Sequence, residues 1–152
     1  MVFVSAAVRL LASCAASRSV EVKVGRGATR SSIGEHMIRI ITDSVSSITQ
    51  EMARELDIQV VTLYVNRDGV EYEDATMDLD AFYADIYDMI DNIPTSSQPS
   101  QKLLEDVFED AARAGDEVCG IFISTGLSGA YDGALRAIRA VAARNIDFKW
   151  EL

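Results

Sequence analysis

Val118-Cys119-Gly120-Ile121-Phe122-Ile123 runs directly into Ser124-Thr125-Gly126-Leu127-Ser128-Gly129. The first run is apolar on both faces, as a strand inside a parallel sheet would be. The hydroxyl- and glycine-rich turn stops it. Beyond the turn, Ala130, Ala134, Leu135, Ile138 and Val141 recur at helical spacing. Strand, turn and helix in this order form the repeating unit of an α/β fold.

The same unit is found upstream. Ile38-Arg39-Ile40-Ile41-Thr42 is a short β-branched run that predicts a buried strand, ended by Asp43-Ser44. Ser47-Ile48-Thr49-Gln50 has the form of a capping box, and Ile48, Met52 and Leu56 fall on one face of a short helix. Ile58 to Val65 reads as the next strand, and Asn66-Arg67-Asp68-Gly69 as a hairpin turn returning the chain through Val70-Glu71-Tyr72. A helix capped by Asp78 follows, with Leu79, Phe82, Tyr83, Ile86, Met89 and Ile90 as a stripe predicted to bury against a sheet. Its opposite face carries Asp80, Asp85 and Asp88, a solvated face.

Pro94 leads into Thr95-Ser96-Ser97-Gln98-Pro99-Ser100, a second hydroxyl-rich turn expected at a helix start, with Pro99 in the first turn. Leu103, Leu104, Val107, Phe108, Ala111 and Ala112 line that helix and Gly115 closes it. Ile146 to Trp150 could begin a further strand. The expected fold is α/β, with a mainly parallel sheet flanked by helices. In such sheets ligands bind beyond the carboxyl ends of the strands, where Asp43-Ser44 and Ser124-Thr125-Gly126 both lie.

Composition narrows the chemistry. The chain has 152 residues, 49% of them hydrophobic, enough for one packed domain. A formal net charge of −10 disfavours nucleic acid and anionic membrane surfaces as partners, and an acidic cytoplasmic protein is expected without stable membrane insertion. The sole histidine, His36, and the two cysteines, Cys14 and Cys119, form no cluster, which excludes a zinc site or a histidine-based triad. Cys119, inside its apolar run, is expected to be a buried, inert thiol.

Residues 1–36 differ in character. They hold five of the 14 basic residues but two of the 24 acidic ones, so residues 37–152 carry a net charge of −13. A domain boundary is expected at Met37. Three readings of the leading segment stay open: a lipoprotein signal at Leu11-Ala12-Ser13-Cys14, an Arg- and Ser-rich transit peptide, or an extension ahead of a true start at Met37. The third is favoured, with the segment disordered or non-native.

The two hydroxyl-rich turns have a joint explanation. Helix starts offer unsatisfied N–H groups and a positive dipole end, and Ser or Thr hydroxyls there add neutral donors. Such a set can hold a carboxylate or phosphate without metal or lysine, each donor contributing roughly 1.5–3 kcal/mol. Gly126 and Gly129 are expected to allow close backbone approach and positive φ. Ser128 lacks the G-x-S-x-G pattern of a nucleophile elbow, which disfavours hydrolase chemistry. No Walker loop is present, and no cofactor is expected.

At these residues the chain resembles the DegV family, the fatty-acid-binding subunits of bacterial fatty acid kinase. The likeness rests on Ile40-Ile41-Thr42-Asp43-Ser44, on Pro94 to Ser100, which is similar to a T-S-Q-P-S signature, and on Ser124 to Tyr131, similar to S-x-x-L-S-G-T-Y. The resemblance implies a non-catalytic protein that holds the carboxylate of a long-chain fatty acid and presents it to a separate ATP-dependent kinase catalytic subunit for acyl phosphate formation. It implies Ser96 and Ser128 as carboxylate ligands, Thr95 and Ser124 as neighbouring candidates, and Ser97, Gly126 and Gly129 as the supporting cradle. Ala130 stands where the family has Thr. Family members are about twice as long, so a first domain lacking the second, truncated and inactive, is expected. The alternative is a small anion-binding or regulatory module for a phosphate or carboxylate metabolite. An exported lipoprotein anchored at Cys14 is a third.

Overall fold

The computed structural model describes residues 37–152; the readings made of residues 1–36, Cys14 and His36 included, lie outside the described residues. The chain adopts the expected α/β architecture with a parallel sheet. Strand β1 (Ile38–Asp43) lies inside it, between β2 (Ile58–Val61) and β6 (Glu117–Ile121), and β7 (Trp150–Glu151) flanks β6. All three pairings are parallel, with Ile40 opposite Ile58 and Cys119, and Val118 opposite Trp150. The strand anticipated near Ile146 forms, but only at Trp150.

Two helices cover one face of this sheet: α3 (Gln101–Ala114) and α4 (Ala130–Arg144). Ser100 caps α3 by accepting the Leu103 amide at 3.2 Å, and Gly115 closes it at φ 75°, where a Cβ would be strained. Pro99 is not in the first turn as expected; it precedes the cap and is buried. Ile41, Val61, Leu104, Phe108, Val118, Ile138 and Val141 form the centre of the core, with Ala111, Ala134 and Ala137 letting the helices approach. The opposite sheet face, Ile40, Ile58, Val60, Cys119 and Ile121, is only half-buried. Thus β6 is not enclosed on both sides, and Cys119 is a half-buried residue rather than a core thiol.

A second sheet corrects the reading of Ile58 to Val65 as one strand. The parallel strand stops at Val61, and β3 (Tyr64–Arg67) starts an antiparallel sheet of order β4-β3-β5, with β4 at Val70–Glu73 and β5 at Thr95–Ser97. The break has a cause. The buried Leu63 gives its amide to Ser44 Oγ at 3.0 Å, and its carbonyl accepts from Asp74 N–H and Thr62 Oγ1. Its ladder groups are spent outside either sheet. The predicted hairpin does form, with Arg67 opposite Val70 and both turn residues, Asp68 (φ 53°) and Gly69 (φ 78°), left-handed.

Two helix readings also change. Helix α1 (Gln50–Glu55) is capped by Thr49, which accepts from Met52 N–H, not by Ser47. Ser47 instead closes the 3-10 turn Ser44–Ser46 in the left-handed region. The long amphipathic helix expected from Leu79 to Ile90 is a five-residue α2 (Leu79–Tyr83), capped by Asp78 as expected, and a separate 3-10 turn, Ile86–Ile90. Of its stripe only Phe82 and Met89 are buried; Leu79, Tyr83, Ile86 and Ile90 are exposed. Asp85 and Asp88 oppose the dipole at the end of α2, where the helix has no basic residue of its own.

The carboxyl end of β1 joins these parts. Thr42 Oγ1 donates to Ile121 O at 2.8 Å, Asp43 accepts the Ile123 amide at 2.7 Å, and Ser44 Oγ takes the Leu63 amide. Asp43 is 2% exposed. Burial raises its pKa above the ordinary 3.8; the amides of Ile123, Val45 and Ser46 oppose that shift, and neighbouring Asp74 adds to it slightly.

Two outcomes are expected. Phe108→Ala, which empties a fully buried aromatic site, should cost about 3–5 kcal/mol in urea denaturation. For Asp43, the folded state binds a proton more readily than the unfolded chain, so its contribution is fully present below pH 3.8 and is lost as pH rises through the raised folded value. Wild type should therefore lose stability relative to Asp43→Asn as pH climbs from 3.8 through that window; parallel curves in urea titrations at stepped pH would contradict it.

Candidate functional site

The second hydroxyl turn spans the gap between β6 and α4, beside the carboxyl end of β1. Its shape is set internally. Ser124 O accepts the amides of Leu127 (2.9 Å) and Ser128 (3.1 Å), which folds the segment back on itself. Ser124 Oγ accepts from Gly126 N–H at 3.3 Å and Ser128 Oγ from Ala130 N–H at 3.2 Å. Both hydroxyl oxygens are thus acceptors toward the backbone. Their O–H protons remain to be given outward, the polarity that an anion requires.

Helix α4 begins immediately after. Its N-cap is Gly129, which brings no side-chain cap, so the positive end of a 15-residue helix faces the turn. Asp43 supports the arrangement from below by holding the amide of Ile123, the residue before Ser124.

The first hydroxyl segment is not the helix start that its composition predicts. Thr95, Ser96 and Ser97 form β5, paired antiparallel with Asn66, Val65 and Tyr64, so their backbone belongs to a ladder and only Ser100 caps a helix. A run of three hydroxyl residues satisfies strand and cap preferences alike, and pairing with β3 decides the matter. Thr95, Ser96, Ser97 and Ser124 are exposed, and Ser128 is half-buried.

Gln98 joins the two segments. Its side chain lies against the start of α4: a methyl group at Gly129 would stand 3.2 Å from Gln98 Oε1, and one at Gly133 3.1 Å from the same atom. Ser97 and Ser128 are the chain neighbours of this contact. Gly129 and Gly133 serve close approach, as expected for Gly129, but neither Gly126 nor Gly129 has positive φ. At Gly126 a Cβ would meet nothing nearer than Ser124 Oγ at 3.7 Å. The sequence reading did not single out Gln98, Gly133 or the buried role of Asp43. The four-residue spacing of the glycines, one face of one helix, was the available signal for the first two.

Two open clefts lie elsewhere. One, of about 270 Å³, is lined by Gly115, Asp116, Glu117 and Phe148 at the opposite end of β6; the other, of about 390 Å³, runs along β2 past Thr62, Tyr64, Leu103 and Val107. Thr95, Ser96, Ser97, Ser124 and Ser128 line neither, and all but the half-buried Ser128 are exposed. Among the described residues no group of three or more His, Cys, Asp or Glu could hold a metal ion, and no helix is long and apolar enough to cross a membrane.

Comparison with known proteins gives a consistent result. The family model described as "Uncharacterised protein, DegV family" matches residues 37–148. A DegV domain-containing protein of Clostridium perfringens is 36% identical over 94 residues, 62% of this chain and 33% of its own. Among solved structures, a stearic-acid-binding protein of Eubacterium ventriosum superposes with a TM-score of 0.65 at 28% identity, covering 75% of this chain and 40% of that one. A fatty-acid-binding DegV family protein of Thermus thermophilus gives 0.62 at 30% identity, covering 76% and 39%. The chain spans about a third of the length of that curated relative and two-fifths of those solved chains. With the family model covering 37–148, which includes the end of β1, the hydroxyl strand and the hydroxyl turn, this chain belongs to the DegV family.

Proposed function

We propose that the protein binds a long-chain fatty acid through its carboxylate and presents the carboxyl group to a separate ATP-dependent kinase, without catalysing a step itself. Ser96 and Ser128 are the ligands, Thr95 and Ser124 lie beside them, and Ser97, Gly126 and Gly129 support the cradle. The observation that carries this reading is the polarity of the second turn, whose Ser124 and Ser128 hydroxyls accept from the backbone and keep their protons for a ligand at the start of α4. The solved relatives named for stearic acid and for fatty acid binding support the choice of ligand. In this reading residues 37–152 supply the carboxylate end and one wall of the acyl site, and the region that the relatives have in addition supplies the other. In this reading the protein works in the cytoplasm.

A second reading follows from the open surface on which the hydroxyls stand: the same cradle would serve a small phosphate or carboxylate metabolite. Ligand extraction separates the two, since mass spectrometry of the purified protein should find a fatty acid in the first case and an organic phosphate or short carboxylate in the second.

The site itself is tested by titrating palmitate and its methyl ester. Removing either Ser96 or Ser128 by alanine should weaken palmitate by about 1.5–3 kcal/mol, roughly ten- to a hundredfold, against a helix-terminus effect on stability of about 1 kcal/mol at Ser128 and none at Ser96, which lies in β5. The ester should bind wild type poorly and hardly distinguish it from the mutants. Equal binding of acid and ester, or wild-type affinity in both folded mutants, would leave these serines without a ligand role.

A further inference from the structure

Arg67, at the end of β3, has a set of contacts that the carboxylate site does not use. Its Nη1 donates to the carbonyl of Phe82 at 3.0 Å, and its guanidinium carbon stands 5.7 Å from the centre of the Phe82 ring. Nε lies 3.6 Å from Asp68 and Nη2 4.0 Å from Asp85, while the side chain is only 18% exposed. Phe82 in turn meets Tyr72 of β4 edge-on at 5.3 Å.

These contacts answer a specific need. Helix α2 has five residues, far below the length at which an isolated helix holds in water. Phe82 is next to its last residue, so its carbonyl has no partner within the helix, and α2 has no basic residue in its own last turn. Arg67 supplies both the missing donor and the missing positive charge from another element. Downstream, Asn92 Nδ2 donates to Asp68 Oδ1, which ties the far end of the segment to the same hairpin.

Between the two ties the chain exposes Ile86, Tyr87 and Ile90, and just past the second it exposes Ile93, 76% exposed; only Phe82 and Met89 anchor the segment in the interior. Thr95 follows two residues after Ile93 and pairs with Asn66, the neighbour of Arg67. We propose that Arg67 is a positioning residue: a latch that fixes the segment Leu79–Ile93, which runs through Pro94 directly into β5, and so presents its apolar side chains to the tail of a fatty acid bound at Ser96. The second half of this statement rests on the fatty-acid reading; the latch itself does not.

The test uses the whole chain as wild type, Arg67→Met and Arg67→Lys. Met keeps a flexible side chain over Phe82 without hydrogen bond or charge, whereas Lys keeps the charge beside Asp68 and Asp85 and can still donate to the Phe82 carbonyl. Without ligand, hydrogen exchange read by mass spectrometry should speed up about tenfold or more in Leu79–Ile93 of the Met variant, with β1 and β6 unchanged, and Lys should restore most of the protection. Palmitate affinity of the Met variant should fall about tenfold while that of decanoate, which reaches less of the segment, changes less than twofold. Wild-type exchange in the Met variant, or acceleration spread evenly over the core, overturns the latch. Equal losses for both acids overturn its role toward the tail. If wild type binds neither acid, the fatty-acid reading fails, and the exchange comparison still decides whether Arg67 is a latch.

Discussion

The structure depends on a buried carboxylate at the end of its central strand. Asp43 is almost wholly removed from water, a state that costs a carboxyl group several kcal/mol unless it is hydrogen-bonded or protonated. Here the cost is offset by backbone donors from two directions, the Ile123 amide across the sheet and the start of the 3-10 turn. With Thr42 bonded to Ile121 and Ser44 to Leu63, three consecutive side chains fix two distant backbone segments, the end of β6 and the link after β2. The path of the chain after β6 and its departure from the parallel sheet after β2 are both set there. The hydroxyl turn is therefore built on a rigid strand end, and its geometry does not rely on the loop alone.

Much of the fold was legible because the signals were local. The β-branched run at Ile38, the cap at Asp78, the glycine at 115 and the Asp68-Gly69 turn each act within a few residues, and each appears where it was expected. The sites of disagreement depend on tertiary partners. Nothing near Leu63 reveals that Ser44, 19 positions earlier, will take its amide and break the strand. Nor does the stripe from Leu79 to Ile90 reveal that Asp85, Asp88 and the lack of a basic last turn will cut the helix short, although its periodicity is intact.

The candidate site was legible as chemistry and less so as geometry. Ser and Thr clusters announce hydrogen-bonding capacity, but the same residues serve caps, turns and edge strands, and only pairing with Tyr64, Val65 and Asn66 assigns Thr95–Ser97 to a strand. The member that brings the segments together, Gln98, is unremarkable by type. Its significance comes from two glycines on α4 whose missing side chains leave it room.

The pairing of β1 with β6 has a consequence for how the chain must fold. Asp43 and Ile123 are 80 positions apart, so the central strand pair closes only after most of the described chain has been brought back on itself. The β3–β4 hairpin, with its two-residue turn, and helix α3 need no such closure and can form early. Loop entropy grows only slowly with length, about 0.6 kcal/mol per doubling, so the distance costs little at equilibrium, but it must be met before the contact yields any return. On a ribosome β1 emerges well before β6, and while β2 can soon cover one of its edges, the other stays open through the synthesis of everything between β1 and β6. The order of strands in the finished sheet, β2-β1-β6-β7, is in this sense also a schedule of exposure, and the sequence carries it in the distance between Asp43 and Ile123.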